Sequence, residues 1–378
     1  MKSLAIVATH PVQYYAPLYR VLAREPGLEL KVFYHHLPCD RDQGVEFGKP
    51  FQWDVDLLSG YTHAEGPAAI SGLLDELLAH RWTAILVHGW SDSFSRKVIG
   101  RAWRTHTPIM VRGDSHLHTP RPLWRRWMKY PLYRYLLPRF SACLAVGTWS
   151  AQYYRHYGVP NEKIMMSPHC IDTERFAGQA ASLRPLRAMI RSTWSLADDD
   201  FVFLYVGRLS STKRVQDFIA ALARCSESRV RIHGLIIGEG SLRESLERQA
   251  KQCFAPIRFA GFLNQSEVAR AYAAADCLVL SSSGEETWGL VVNEAMTCGI
   301  PCLVSDQVGC GVDLIIPGIN GMIFPCGDIT RLSDLMCEVA EGRLRLDPAH
   351  PRSLEILKGH SCNTAARGVL EAMELFKV

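Results

Sequence analysis

The chain has 378 residues, of which 48% are apolar and 21% charged, and its formal net charge is +4. This is the composition of an ordinary globular protein, and the length favours two domains of roughly 180 residues each over a single core. The 12 cysteines are scattered without any Cys-x-x-Cys pair, which argues against a disulfide framework and favours free thiols in a reducing compartment.

Short apolar runs of strand length alternate with helical stretches such as Val215–Arg224 and Gln265–Ala275. In the first half these runs are Leu4–Ala8, Leu30–Tyr34, Ala84–Val87, Ile109–Val111 and Ala142–Val146. In the second half they are Phe201–Val206, Leu235–Ile237, Ile257–Phe259, Cys277–Leu280, Cys302–Val304 and Met322–Phe324. Near-continuous apolar strands that alternate with helices are typical of buried parallel sheets, so we predict two α/β domains.

The boundary between the domains is predicted in a stretch that is poor in aromatics and is followed by three aspartates. We therefore expect an N-terminal domain over residues 1–176, a linker over 177–198 and a C-terminal domain over 199–360. Residues 361–378 are expected to form a C-terminal helix that can return to the first domain. In open parallel sheets ligands bind beyond the carboxyl ends of the strands, so the loops after the apolar runs are the expected sites.

No apolar run approaches the roughly 18 residues of a membrane span, and Leu4–Ala8 is too short for a signal peptide. This predicts a cytoplasmic protein, or one attached peripherally to the inner face of the plasma membrane. Residues 1–180 carry 21 Lys+Arg and 15 Asp+Glu, a net +6, whereas the remainder carries 21 and 23, a net −2. The basic first half indicates an anionic partner or surface, although six charges can also arise by chance.

Residues 121–139 contain no acidic residue. Apolar pairs recur every four residues on one helical face, at Leu123/Trp124, Trp127/Met128, Pro131/Leu132 and Tyr135/Leu136. The basic residues of the segment are Arg121, Arg125, Arg126, Lys129, Arg134 and Arg139. This pattern is typical of a helix on an anionic membrane surface, and the alternative is a core helix with its basic face in water. The charge asymmetry favours the membrane, and no nucleic-acid-binding module is present.

Two loops of the second half carry charged residues at the carboxyl ends of predicted strands. Gly207 follows a strand and allows close backbone approach, while Arg208 and Lys213 supply positive charge suited to a diphosphate. Taken alone, such basic residues are more often solvated surface. Further on, Glu286 lies at the mouth of a helix and Glu294 lies within it, among apolar neighbours. A carboxylate in that position can accept hydrogen bonds from vicinal hydroxyls, the alternative being an exposed glutamate on an ordinary helix.

The two glutamates are eight residues apart in the pattern Glu-x-Trp-Gly-Leu-Val-x-x-Glu-Ala-Met-x-Cys-Gly-x-Pro. This resembles the Glu-x7-Glu signature of the retaining family 4 (group 1) glycosyltransferases, with Trp288 in place of the usual Phe. Further segments resemble the family in order and spacing over 200–335: Gly207…Lys213, Gly238-Glu239-Gly240, Phe259…Leu263, Ser305…Gly311 and Asn320…Asp328. The resemblance implies the GT-B fold, in which two Rossmann-like domains with parallel sheets face each other across a cleft.

The resemblance also implies roles for individual residues. Arg208 and Lys213 should neutralise the leaving diphosphate, Glu294 should bind the ribose hydroxyls and Glu286 should hold the transferred sugar. The implied donor-binding set is Gly207, Arg208, Lys213, Gly238, Phe262, Leu263, Glu286, Trp288, Gly289, Leu290 and Glu294. Such enzymes need no divalent metal, and no cofactor is expected. Two pairs have Asp-x-Asp spacing, Asp40/Asp42 and Asp54/Asp56; we interpret the first as a polar loop and the second as solvated strand positions.

The acceptor side is less defined. Where the family has glycines after the first strand, this chain has the loop Thr9–Pro17, so its His10, Gln13 and Tyr14 are only acceptor-side candidates. An equally good interpretation is a tight turn set by Pro11 with buried tyrosines. After the strand Ile109–Val111, Asp114, His116 and His118 lie where related enzymes place a histidine near the reacting centre. Asp114 and His116 are the catalytic candidates, and His118 is a further acceptor-side candidate.

The predicted function is transfer of a sugar from a UDP- or GDP-linked donor to a glycan or lipid-linked acceptor in bacterial surface polysaccharide synthesis. Because no carboxylate is placed as a nucleophile, retention predicts attack from the same face as the leaving group. The alternatives are a GT-B sugar-nucleotide epimerase or hydrolase, and a non-catalytic binding subunit. A nicotinamide dehydrogenase is disfavoured because no Gly-x-Gly-x-x-Gly follows a strand.

Overall fold

The structure, a computed structural model, describes residues 1–37, 52–79, 81–225 and 228–376. The chain divides into two compact units. The N-terminal unit comprises Met1–Cys39, Asp56–Ile171 and His360–Val378, and the C-terminal unit comprises Asp40–Val55 and Asp172–Gly359. No described helix is long and apolar enough to cross a bilayer.

The N-terminal unit is built on a parallel sheet, which has seven strands among the described residues, in the order β3-β2-β1-β4-β5-β6-β7. The strands are β1 (Lys2–Ala8), β2 (Leu28–Tyr34), β3 (Thr62–Glu65), β4 (Ala84–His88), β5 (Ile109–Gly113), β6 (Ala142–Ala145) and β7 (Ile164–Met166). The helices are α1 (Ala16–Ala23), α2 (Gly66–Leu78), α3 (Ser93–Arg104), α4 (Leu123–Leu136), α5 (Thr148–His156) and the C-terminal helix (Cys362–Met373).

Helices cover both faces of this sheet, which is why its strands read as continuous apolar runs. Along β1, Ala5 and Val7 belong to a core cluster with α2, α3 and α5. Leu4 and Ile6 point to the opposite face and pack with α1 and the C-terminal helix. The C-terminal helix approaches the chain so closely that a Cβ on Gly368 would lie 1.8 Å from the Met166 carbonyl oxygen.

The C-terminal unit has a second parallel sheet, with six strands in its described part, in the order β10-β9-β8-β11-β12-β13. The strands are β8 (Phe201–Val206), β9 (Ile232–Ile237), β10 (Ile257–Gly261), β11 (Cys277–Leu280), β12 (Cys302–Ser305) and β13 (Gly321–Phe324). The helices are α6 (Thr173–Leu183), α7 (Arg187–Thr193), α8 (Val215–Arg224), α9 (Arg243–Gln252), α10 (Val268–Ala274), α11 (Leu290–Thr297), α12 (Gly311–Leu314), α13 (Ile329–Ala340) and α14 (Pro351–Gly359). Reversal of strand order beside β8 and β11 gives the switch point at which doubly wound folds bind ligands.

Every predicted apolar run lies in a strand except for Val146, which follows the end of β6, but β3 and β7 escaped prediction. The first, Thr-His-Ala-Glu, is a largely exposed edge strand without an apolar run. The second has only three residues, none fully buried. Short edge strands need not be apolar on both faces, so apolar periodicity does not detect them.

The segment 177–198 is not a linker. It contains most of α6 and all of α7, which belong to the C-terminal unit. Arg187 and Arg191 of α7 form ion pairs with Asp276 at 2.5 and 2.6 Å, and the Arg191 side chain is almost fully buried. Because a buried guanidinium needs its partner, these pairs fix α7 to the sheet.

The predicted N-terminal domain 1–176 also differs from the structure, because Asp40–Val55 groups with the C-terminal unit. Within its described part, Asp54 accepts hydrogen bonds from the Ser266 backbone N–H at 3.1 and 3.2 Å. Asp56, at the start of the next N-terminal-unit segment, caps a turn and accepts from the N–H of Leu58 and Ser59, both at 3.0 Å. Neither aspartate is in a strand, contrary to the prediction. Asp40 and Asp42 lie outside the described residues.

Candidate active site

Glycines bring two strand-end loops of the C-terminal unit together. Gly207 follows β8 and Gly238 follows β9, with φ of 152° and 140°. A Cβ on Gly238 would lie 1.9 Å from the Gly207 carbonyl oxygen, so the approach requires glycine. The loop that carries Arg208 and Lys213 is therefore held at the carboxyl ends of β8 and β9.

Lys213 and Glu286 form an ion pair, although they are 73 residues apart in sequence. Their side chains are 21% and 13% exposed, so the pair is only partly screened by water. The Ser282 hydroxyl donates a second hydrogen bond to the same Glu286 oxygen at 3.1 Å. An anionic ligand at this edge would compete with Glu286 for the ammonium group. The predicted diphosphate cation and the predicted sugar-binding carboxylate thus lie side by side.

Serines after β11 position the Lys213 loop. The Ser281 hydroxyl donates to the carbonyls of Lys213 and Arg214 at 3.2 and 2.9 Å. The Ser283 backbone N–H donates to the Thr212 carbonyl at 2.8 Å. These bonds hold the backbone of the loop that carries Lys213 against the segment after β11. Sequence reasoning treated the serines only as loop residues.

Glu294 lies on α11 and is 1% exposed. Its Oε2 accepts a hydrogen bond from the Tyr272 hydroxyl at 2.6 Å. A buried carboxylate needs such partners because desolvation penalises the charge. Tyr272, on α10, is a positioning residue that the sequence pattern did not identify.

The residues around the start of α11 serve mainly as structure. Trp288 is buried, and its indole N–H donates to Asn293 Oδ1 at 2.9 Å. Gly289, the residue that caps the helix, has φ of 99°, and a Cβ there would lie 2.9 Å from a Leu280 methyl group. The Trp288 side chain is therefore part of the core, and only its backbone can face a ligand. Leu290 begins the helix and is half-buried.

Phe262 and Leu263 follow β10 and are half-buried. The Phe262 ring lies 6.3 Å from the ring of Trp53, in the stretch that groups with the C-terminal unit. The Arg208 side chain is also half-buried, and its carbonyl accepts from the buried Tyr205 hydroxyl at 3.0 Å. Burial raises the pKa of Tyr205 well above its usual value, which keeps it a donor.

The N-terminal unit has a polar pocket of about 330 Å³ at the carboxyl ends of β4 and β5. Its lining includes Tyr15, His88, Arg112, Asp114, Tyr153 and His169. Arg112 is 3% exposed and donates to the carbonyls of Ser167 and Pro168 at 3.1 and 2.8 Å. A fixed cation, a carboxylate and imidazoles around one pocket suit a polyhydroxylated or anionic group.

Both imidazoles of this pocket favour the neutral form. Desolvation, followed by the charge of Arg112, holds the pKa of His88 and His169 well below the usual histidine value. His88 Nε2 pairs with the Tyr19 hydroxyl at 2.8 Å, and its ring stacks on Tyr15 at 4.2 Å. His88 Nδ1 is buried without a hydrogen-bond partner among the described residues.

Of the three candidates after β5, only Asp114 lines the polar pocket. His116 is buried, and burial, followed by the charge of His118, lowers its pKa to about 4. Its Nδ1 accepts from the His118 backbone N–H at 3.1 Å. The exposed His118 ring stacks on Trp149 at 4.0 Å. His116 instead lines a neighbouring cavity, so Asp114 is the better-placed acceptor candidate.

The loop after β1 contributes a residue that the sequence analysis did not select. His10 is exposed and bonds Thr9 at 3.1 Å, while Gln13 and Tyr14 are half-buried and do not line the polar pocket. Tyr15 lines it instead. The turn interpretation holds in part, since the Tyr15 N–H bonds the Val12 carbonyl at 3.0 Å.

His88, Arg112 and His169 also escaped selection. His88 and Arg112 directly follow predicted apolar runs. Because ligands bind beyond the carboxyl ends of parallel strands, their positions could have identified them as candidates. His169 follows β7, which apolar periodicity did not predict.

Helix α4 leaves its apolar residues uncovered. Trp127 is 79% and Trp124 59% exposed, and Met128, Leu132 and Tyr135 are exposed as well. We call these five residues the aromatic face. Tyr133, by contrast, packs inward, with its ring 5.9 Å from that of Trp90. The core-helix alternative is therefore wrong.

Two family models match the chain. One, glycosyl transferases group 1, matches residues 187–350, and the other, glycosyltransferase family 4, matches residues 13–175. The chain belongs to the family 4 (group 1) glycosyltransferases. This confirms the family that the Glu-x7-Glu segment predicted.

Curated relatives of the chain support the family assignment. It is 31% identical over 255 residues to a GDP-mannose-dependent alpha-mannosyltransferase of Mycobacterium tuberculosis, which covers 67% of the chain and 60% of the relative. It is 32% identical over 153 residues to a lipopolysaccharide 1,6-galactosyltransferase of Salmonella typhimurium, covering 39% and 42%. The matches thus span less than two thirds of these relatives' lengths.

Among solved structures, HepE of Anabaena in complex with UDP and glucose matches 99% of the chain and 100% of its own, with a TM-score of 0.71. At 16% identity this likeness establishes the fold and no more. It confirms the predicted architecture of two Rossmann-like domains of the GT-B type. Within the described part of this glycosyltransferase, no group of three His, Cys, Asp or Glu side chains is arranged to hold a metal ion.

Proposed function

We propose that this glycosyltransferase transfers a sugar, with retention and without a metal, from a nucleoside diphosphate sugar to a hydroxyl of a glycan or lipid-linked acceptor. The observation that carries the proposal is the Lys213–Glu286 pair in the C-terminal unit, which also holds the buried Glu294. It brings together a cation for phosphate and a carboxylate for hydroxyls, with a second carboxylate in a desolvated setting. The mycobacterial relative is named for GDP-mannose, and HepE was crystallised with UDP. The proposed donor is therefore either a GDP-linked or a UDP-linked sugar.

In the proposed reaction, Arg208 and Lys213 stabilise the charge that develops on the leaving diphosphate. The bond between the anomeric carbon and the phosphate oxygen breaks, and the acceptor oxygen bonds the same carbon from the same face. The acceptor proton passes to the leaving phosphate oxygen. Glu286 is already paired with Lys213, which suits a role in holding sugar hydroxyls rather than in forming a covalent intermediate. Two cations in place of a metal support metal-independent transfer.

The polar pocket of the N-terminal unit is the proposed acceptor site. Asp114 is its carboxylate, suited to orient the attacking hydroxyl. Neutral imidazoles at His88 and His169 can accept or donate single hydrogen bonds without adding charge. Arg112 supplies a fixed donor at the floor of the pocket.

The aromatic face of α4 supports attachment to the inner face of the plasma membrane. Five apolar side chains are exposed together on one helix, and basic residues flank them without an acidic residue over 115–139. Apolar burial plus attraction to anionic lipid is how interfacial helices bind. Together with the lipopolysaccharide-modifying relative, this supports a role in bacterial surface polysaccharide assembly.

A thermal-shift panel tests the donor part of the proposal. UDP, GDP, ADP and CDP are compared in EDTA and then in magnesium. One diphosphate, present at about 100 times its dissociation constant, should stabilise the protein by about 2.7 kcal/mol in EDTA. A shift that requires magnesium would contradict metal independence, and no shift with any base would contradict the donor site. Sugar released from the donor in the absence of any acceptor, as the main product, would instead favour a hydrolase.

A further inference from the structure

A second cavity adjoins the polar pocket of the N-terminal unit, with a volume of about 670 Å³. Its walls include His116, Arg121, Arg126, Trp127, Lys129 and Tyr130. Arg121, Lys129 and Tyr153 line both spaces, so the cavity and the polar pocket meet at these residues. A single molecule can therefore extend from Asp114, past Arg121 and Lys129, to the apolar wall at Trp127.

The junction is strongly cationic. In the part of the chain that the structure describes, no carboxylate lies within ion-pair distance of Arg121, Arg126 or Lys129. The Arg126 guanidinium donates to the carbonyls of Leu117 and Thr119 at 3.1 and 3.2 Å, which fixes it at the cavity wall. Three cations without an anionic partner suit a phosphate or diphosphate group.

Beyond the junction the cavity is bounded by aromatic and apolar groups. Trp127, Tyr130 and Pro131 of α4 form one wall, and Tyr153 and Tyr157 line it as well. His116 lines the cavity too; it is 5% exposed, and its Nε2 is buried without a hydrogen-bond partner among the described residues.

We propose that this cavity binds the phosphate or diphosphate group of a lipid-linked acceptor, with Arg121 and Lys129 as the main ligands. The acceptor sugar occupies the polar pocket beside Asp114, and the first part of the lipid chain lies against Trp127 and Tyr130. The inference rests on the proposed function, since it names the substrate class of that acceptor site. It makes α4 a substrate-binding element as well as a membrane-facing one.

The order of chemistries along the cavity favours this occupant over an ordinary membrane lipid. A bilayer surface would engage the whole aromatic face, including Trp124, which does not line the cavity. A single phosphorylated lipid instead requires cations between a polar and an apolar compartment. That order is the one observed, from Asp114 through Arg121 and Lys129 to Trp127.

Calorimetric titration with farnesyl diphosphate, a short prenyl diphosphate, tests the inference without vesicles. It should bind the full-length protein, whereas farnesol and inorganic pyrophosphate should each bind at least about tenfold more weakly, since each lacks one half of the interaction. The double substitution Arg121→Gln with Lys129→Gln should weaken farnesyl diphosphate at least about tenfold through loss of two charge-assisted contacts. Arg104→Gln, which removes an exposed arginine at the end of α3 outside the cavity, should leave the affinity unchanged.

The inference would be overturned if farnesyl diphosphate did not bind, or if Arg104→Gln weakened its binding as much as the double substitution. Equal affinity for pyrophosphate and farnesyl diphosphate would also overturn it, because the site would then be a simple anion site. The thermal shift with UDP or GDP is measured on every variant. If that shift persists while farnesyl diphosphate fails to bind, the acceptor inference fails and the donor proposal stands. If the nucleotide shift is absent from the unmodified protein, the proposed function itself fails.

Discussion

The two units differ in how they handle charge. In the C-terminal unit, the candidate site is internally balanced: Lys213 pairs with Glu286, and Tyr272 serves the buried Glu294. In the N-terminal unit, Arg121, Arg126 and Lys129 have no carboxylate at ion-pair distance within the described structure. The first arrangement is preorganised by the protein's own groups, whereas the second leaves its cations available to an external anion. We interpret the difference as that between a donor site of fixed chemistry and an acceptor site completed by its substrate.

The largest expected effect comes from breaking the balanced pair. Lys213→Ala should lower kcat by about 10²–10³-fold, by analogy with loss of one preorganised group that stabilises developing charge. The free energy of unfolding should change much less, because the pair is partly exposed. Steady-state kinetics and urea unfolding measure the two quantities. Lys251→Ala, an exposed lysine of α9, is the matched control; normal turnover in Lys213→Ala would remove this residue from the site.

The second-largest effect is expected on donor affinity, when Glu294 is replaced. Glu294→Ala should weaken binding of the preferred nucleoside diphosphate by about 1–3 kcal/mol through lost hydrogen bonds. Tyr272→Phe keeps the carboxylate and removes only the 2.6 Å hydrogen bond to it, so its effect should be smaller. Titration calorimetry compares the two variants. Unchanged affinity in Glu294→Ala would contradict the ribose assignment.

The neutral histidines give the N-terminal unit a distinct pH dependence. His116 has a pKa of about 4 when folded and an ordinary, higher pKa when unfolded. The unfolded chain therefore binds the proton first as the pH falls, and the contribution to stability is full above about pH 6.5 and is lost towards pH 4. Each pH unit in that window should cost about 1.4 kcal/mol for this group. His116→Gln should flatten the dependence in urea unfolding from pH 7 to pH 5; equal slopes would contradict burial of the imidazole.

The smallest effect is expected on the affinity for lipid vesicles, when a single residue of α4 is replaced. Arg125→Gln should weaken binding to vesicles containing anionic lipid by about 1 kcal/mol, and less at high salt. Trp124→Ala should weaken binding to neutral and anionic vesicles alike, because it removes apolar burial rather than charge. Sedimentation with vesicles measures both. If neither substitution changed the binding to vesicles, the aromatic face would not be the membrane contact.

The sequence predicted the parts of the site that are local in the chain. The apolar neighbours of Glu294 predicted its burial. Gly207 predicted close backbone approach to a ligand, whereas the approach that the structure shows is to the backbone at Gly238. The Lys213–Glu286 pairing was not predictable from local pattern, because it joins residues 73 positions apart. The position of His169 in the polar pocket, and the grouping of residues 52–55 with the C-terminal unit, depend on tertiary structure. Apolar periodicity does not encode such placement. The helices at 173–193 were mistaken for a linker, since their stabilising contacts are arginines bound to Asp276 rather than a long apolar stripe.

The most direct test of the account is calorimetric titration of UDP and GDP, in EDTA, into the unmodified protein, Lys213→Ala and Arg125→Gln. The account predicts metal-free binding of one of the two, marked weakening by Lys213→Ala and no change in Arg125→Gln. Binding that requires a metal ion, or that is equally strong in Lys213→Ala, would contradict the assignment of the donor site to the C-terminal unit's Lys213–Glu286 pair.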